Sequence, residues 1–262
     1  MWSCGECVIV NADDFGMSTS VNRAILFAIE RGLISRASMM VNMPGFLEAC
    51  EAARRLHWEE RLGVHLNLSE GRPLTAAITR CRRFCDDNGF FRPRQRVFRL
   101  SAEERKAAEE ELGAQVRAFI AQGIRPAHLD SHHHYHTEWG IAGAVISVAQ
   151  AAGIRAVRLS RNCGPRIDPA KRAYKTAFNA RLALCGLAAN RYFGSVHDVS
   201  GVIGSGAGRV EVMVHPRLRP GGQVTDMDGH EPLEQLLERA GIPCFSRGSA
   251  RWAARSAARS AA

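Results

Sequence analysis

Short apolar runs alternate along the chain with stretches of helical periodicity. That pattern predicts βα units stacked on a parallel sheet. Residues 7–11, 37–42, 62–68, 127–130, 154–159 and 210–214 read as strands, with 242–245 as a last short one. Residues 21–31, 46–56, 138–152, 170–187 and 232–240 read as helices. Ser101-Ala102-Glu103-Glu104 is a capping box, and the helix it opens places Leu112, Val116, Phe119 and Ile120 on one face before Gly123 ends it. Residues 70–100 are rich in Arg, Gly and Pro and read as a long loop or small insertion.

The chain has 262 residues, the size of one α/β barrel or one large α/β domain. No internal repeat and no dividing linker appears, so residues 1–250 read as a single domain and 251–262 as a flexible Ala/Ser/Arg tail. No apolar run is long enough to cross a bilayer. The first seven residues lack the features of a signal peptide, which makes the cytoplasm the expected compartment.

Eight cysteines in a chain of this kind are expected to be mostly free thiols. Cys4 and Cys7 form a lone C-x-x-C pair, and Cys81 and Cys85 lie in a basic loop. The net charge of +9 raises a nucleic-acid partner as an alternative. Part of that charge sits in the tail at Arg247, Arg251, Arg255 and Arg259, and no nucleic-acid motif accompanies it.

The chemically capable residues follow predicted strands: Asp13-Asp14, His65, the histidines of 132–136, and His215. In parallel α/β folds, sites collect beyond the carboxyl ends of the strands. Each piece alone has an ordinary reading, as a turn for Asp13-Asp14 or a core residue for His65. His128-Leu129-Asp130-Ser131-His132-His133-His134-Tyr135-His136 is harder to explain that way, with five histidines in nine residues. Asp130 is placed to orient a ligand imidazole. Together these residues supply an Asp and two His for a metal with open positions, a spare Asp as base and a spare His as acid. That is the equipment of metal-assisted amide hydrolysis. A hydrolase of another ester or phosphoester bond would use the same ligands.

VNADDFG at 10–16, SRASMMVN at 35–42, GVHLNLSEGRPL at 63–74, RPAHLDSHHHYH at 125–136 and VEVMVHP at 210–216 resemble the YdjC-like carbohydrate deacetylase family. The resemblance runs from about residue 8 to 216, and is loose over 160–208. It implies a distorted TIM-like (β/α) barrel and removal of the acetyl group from an N-acetylated amino sugar or short oligosaccharide. It further implies Asp14, His65 and His132 as ligands of a divalent metal, Asp13 as general base and His215 as general acid. His134, His136, Arg158 and Asn42 are implied at the substrate. The resemblance supplies magnesium, whereas two imidazoles and one carboxylate suit zinc, iron or cobalt better, and zinc is kept beside magnesium. A small carbohydrate is then the expected partner, with neither nucleic acid nor membrane. Homodimers are common among barrel hydrolases.

Overall fold

A computed structural model describes residues 8–164, 167–203, 208–227 and 229–245. Expectations for Cys4, Cys7 and the Arg-rich tail fall outside these residues. The strands are β1 (Val8–Phe15), β2 (Arg36–Met39), β3 (Leu62–Leu66), β4 (Leu129–Ser131), β5 (Tyr192–Ser195) and β6 (Val210–Val214). They form one six-stranded sheet in the order β4-β3-β2-β1-β6-β5, and every pairing is parallel. All eight residues of central β1 are buried, as expected for a strand covered on both faces.

Helices α1 (Thr19–Glu30), α2 (Phe46–Arg55), α3 (Ala76–Thr79), α4 (Ala102–Ile120), α5 (Trp139–Ala151), α6 (Pro169–Leu184), α7 (Val196–Val199) and α8 (Leu233–Arg239) complete the α/β alternation. The predicted capping box of α4 is present, with Ser101 and Glu104 bonded reciprocally. An antiparallel pair, β7 (Pro216–Leu218) and β8 (Val224–Asp226), follows β6 directly.

Of the expected TIM-like barrel, the described residues form this six-stranded arc rather than a ring of eight regular strands. Residues 154–159, predicted as a strand, contribute only one parallel bridge, Val157 to Leu129. The backbone here changes partners too quickly to form a ladder. Arg158 N–H donates to Leu129, Val157 N–H to Leu187, and Asn162 N–H to Phe193 in β5. The segment thus spans from one edge of the arc to the other as an irregular stave. Residues 242–245 are not a strand either; Phe245 N–H donates to the Gly32 carbonyl. No helix among the described residues is long and apolar enough to cross a membrane.

Candidate active site

The chemistry-bearing residues meet at the carboxyl ends of β1, β3, β4 and β6. Between Ala12 and Phe15 the register of β1 against β2 shifts, and Asp14 takes a left-handed conformation (φ 68°). A bulge re-aims side chains that would otherwise point to opposite faces. Asp13 and Asp14 are therefore both buried at the site but serve different neighbours.

Asp14 Oδ1 lies 2.8 Å from His132 Nδ1 and 3.2 Å from His65 Nε2. Its second oxygen, Oδ2, is buried without a hydrogen-bond partner. Asp14, His65 and His132 offer ligand atoms all within 4.8 Å of one another. An orphaned carboxylate oxygen beside two converging imidazoles fits a divalent cation. Burial would raise the Asp14 carboxyl, but hydrogen bonds from His132 and His65 outweigh it and hold the group well below its ordinary range.

The far nitrogen of His65, Nδ1, is 2.8 Å from Asp130 Oδ1, and Ser38 Oγ donates to Asp130 Oδ2 at 2.8 Å. Asp130 thus stands beside His65, where an outer carboxylate can fix the ring's orientation. Burial would lower His65, yet the Asp130 charge and the hydrogen bonds to Asp130 and Asp14 lift it to about 10.

Asp13 is gripped by Arg158, with Nη1 2.6 Å from Oδ2 and Nη2 2.7 Å from Oδ1. Arg158 Nη2 also lies 2.7 Å from Asp130, and Nε donates to Glu211 Oε1 at 2.6 Å. Burial alone would raise the Asp13 carboxyl, but the Arg158 charge holds it below its usual value. Burial pushes Glu211 up, with Asp130 and Asp13 adding to it against the pull of Arg158. Asp13, His65 and Asp130 form a second close group, but its two carboxylates are already compensated by Arg158. The Asp14 group is the better metal candidate.

His215 Nε2 stands 4.0 Å from Asp13 Oδ2, and its side chain is 18% exposed. Its backbone N–H donates to Asp226 in β8, so the antiparallel pair fixes where the ring leaves the sheet.

The histidine turn changes direction at His133 and His134, which both adopt left-handed conformations (φ 52° and 56°). Non-glycine residues persist there only where their surroundings enforce it, commonly at functional sites. His133 stacks on His132 with centroids 4.0 Å apart. His134 faces a cleft of about 530 Å³ and meets Phe193 edge-on. Burial and the nearby Arg158 charge push His134 down to about 3.

Three residues expected at the substrate are placed differently. His136 is fully buried, with Nδ1 2.7 Å from Ser131 Oγ. Arg158 is 1% exposed and lies behind the carboxylates, because three buried acids need its charge more than the cleft does. Asn42 spends its amide on the carbonyls of Glu70 and Arg72 and its oxygen on Asn67, bracing the 67–72 loop. His134 alone of the four lines the cleft.

Ser38, Glu70 and Glu211 belong to the site without having been singled out from the sequence. Glu211 left a trace there, since a charge inside Val-Glu-Val-Met-Val must find a partner when buried. Glu70 left none; its Oε2 reaches His132 Nε2 at 3.1 Å only because the loop folds back.

The carbohydrate deacetylase of Halalkalibacterium halodurans is 39% identical over 147 residues, covering 55% of this chain and 60% of that protein. The carbohydrate deacetylase of Geobacillus stearothermophilus is 38% identical over 155 residues, covering 58% of this chain and 60% of that one. The alignments thus span under two thirds of the relatives' length. A solved structure from Enterococcus faecalis V583, described as a candidate cellobiose-phosphate cleavage protein, superposes with a TM-score of 0.64. It is 22% identical over 90% of this chain and 95% of that one, and shares the fold. The YdjC-like protein family matches residues 7–239, and the chain belongs to that family.

Proposed function

We propose that this protein is a metal-dependent deacetylase that releases acetate from an N-acetylated amino sugar. The observation that carries the reading is the convergence of Asp14, His65 and His132 beside a separate Asp13 and His215. Relatives described as carbohydrate deacetylases support the substrate class.

Asp14, His65 and His132 would hold a divalent cation, magnesium by family likeness or zinc by ligand chemistry. Such a cation supplies a Lewis acid that polarises the acetyl carbonyl and acidifies a water. Asp13, kept ionised by Arg158, takes the proton of the attacking water. His215, 4.0 Å from Asp13 Oδ2 and partly open to solvent, protonates the departing amine. His134 and Phe193 line the cleft, and Phe193 also lies under the Arg158 guanidinium at 4.8 Å.

The cleft is lined by Arg94, Arg96, Arg161, Lys171 and Lys175; Glu138 pairs with both Arg94 and Arg96, and Asp198 with Arg161, so five cations face two carboxylates. This lining favours a sugar bearing negative charge over a neutral one.

The test is acetate release from neutral and anionic N-acetyl sugars, with and without chelator and with magnesium or zinc restored. Asp13→Asn and His132→Ala are run alongside, and phosphate release is followed in parallel. Metal-dependent acetate release lost in both variants is expected. Phosphate release without acetate would move the reaction to a phosphoester.

A further inference from the structure

We propose that Glu70 is a positioning residue for the metal site, holding His132 as Asp130 holds His65. The inference rests on the metal reading above. The two imidazoles are arranged alike. His65 turns Nε2 toward Asp14 and gives Nδ1 to Asp130 at 2.8 Å. His132 turns Nδ1 toward Asp14 and gives Nε2 to Glu70 at 3.1 Å. In each case one nitrogen faces the shared carboxylate and the other faces an outer one. An outer carboxylate fixes the ring's orientation and tautomer and strengthens it as a ligand.

Glu70 is held for this position. Its N–H donates to Asn67 Oδ1 at 3.1 Å, and its carbonyl accepts from Asn67 Nδ2 at 2.7 Å and Asn42 Nδ2 at 3.1 Å. Asn67 is anchored in turn by Gln115 of α4, through Asn67 N–H to Oε1 and Gln115 Nε2 to the Asn67 carbonyl. Glu111 of the same helix receives the N–H groups of Leu74 and Thr75. Two buried polar residues on α4 therefore pin both ends of the loop, and the carboxylate it presents meets His132. Glu70 lies beyond the ring from Asp14, which makes it an orienting group and not a further ligand. It differs from Asp130 in exposure: the Glu70 side chain is 41% exposed and the Asp130 side chain fully buried.

The experiment is zinc titration calorimetry on the full chain stripped with chelator. Glu70→Ala is expected to weaken zinc binding by roughly 10–100-fold. Glu70→Gln should recover part of that loss, because its amide oxygen still accepts from Nε2–H. The thermal midpoint of the zinc-free chain should be the same in all three. Wild-type affinity in Glu70→Ala, with His132→Ala losing zinc, would overturn the role of Glu70 alone. A zinc-free midpoint that falls in Glu70→Ala would also overturn it, assigning Glu70 to loop structure. A wild-type chain that binds no zinc, magnesium or manganese would overturn the metal reading beneath it.

Discussion

Asp13 and Arg158, 145 residues apart in the chain, meet in a two-point ion pair of 2.6 and 2.7 Å. The same guanidinium touches Asp130 and Glu211, so one cation compensates three buried acids. Arg158→Met would strand all three and is expected to cost about 3–5 kcal/mol of stability. Arg158→Lys keeps the charge but loses the planar two-point grip. Because Arg158 holds the Asp13 carboxyl low, weakening that grip raises it. The acid limb of acetate release should then move to higher pH in Arg158→Lys. A limb that stays in place would show that Asp13 does not depend on Arg158 for its ionisation.

His215→Ala should lower kcat for an N-acetyl sugar by roughly 10²–10⁴. Zinc affinity should be unchanged, since His215 stands outside the Asp14 group. The defect should narrow with an acetyl ester of a good leaving group, which needs no proton on departure. An equal defect on both substrates would count against His215 as the proton donor.

His128 gives a pH test away from the proposed chemistry. Its ring is buried, neither nitrogen has a partner among the described residues, and burial holds it down at about 4. Unfolded, the group protonates near 6.5. Between these values the unfolded chain binds more protons, so stability falls as pH drops from about 6.5 to about 4. The full penalty is on the order of 3 kcal/mol. Denaturant melts of His128→Leu should show a shallower loss over that window. An unchanged slope would assign acid sensitivity to other groups, His134 first.

Gly63 faces that same ring. A Cβ added there would stand 2.5 Å from His128 Cε1 and Nε2. Gly63→Ala is expected to cost about 1–3 kcal/mol, as overpacking does. Combining it with His128→Ala should cost less than the two changes summed, which thermal melts would detect.

The cationic cleft makes a kinetic prediction. Lys175→Ala should raise KM several-fold for an anionic N-acetyl sugar and leave a neutral one nearly unaffected. The difference should shrink as salt rises, because the cleft is open to solvent. Equal effects on both sugars would show that charge in the cleft does not select substrate.

The sequence by itself determined the α/β class and strands β1, β2, β3, β4 and β6, since short apolar runs between helical stretches mark buried parallel strands. It also determined the grouping of Asp13-Asp14, His65, the histidine turn and His215, because residues that follow such strands share one end of the sheet. Tertiary structure decided how those residues divide their work. The left-handed turns at Asp14, His133 and His134 give sequence neighbours different partners, which one-dimensional spacing does not show. Arg158 and His136 read as substrate contacts until burial places them behind the site. β5 has four residues with a glycine among them, too short for a periodic signal, and the 154–159 run was apolar without forming a ladder. Glu70 shows the limit most clearly. A solvent-facing glutamate in a polar loop carries no mark of burial or period, and only the fold of residues 67–75 onto α4 brings it to His132.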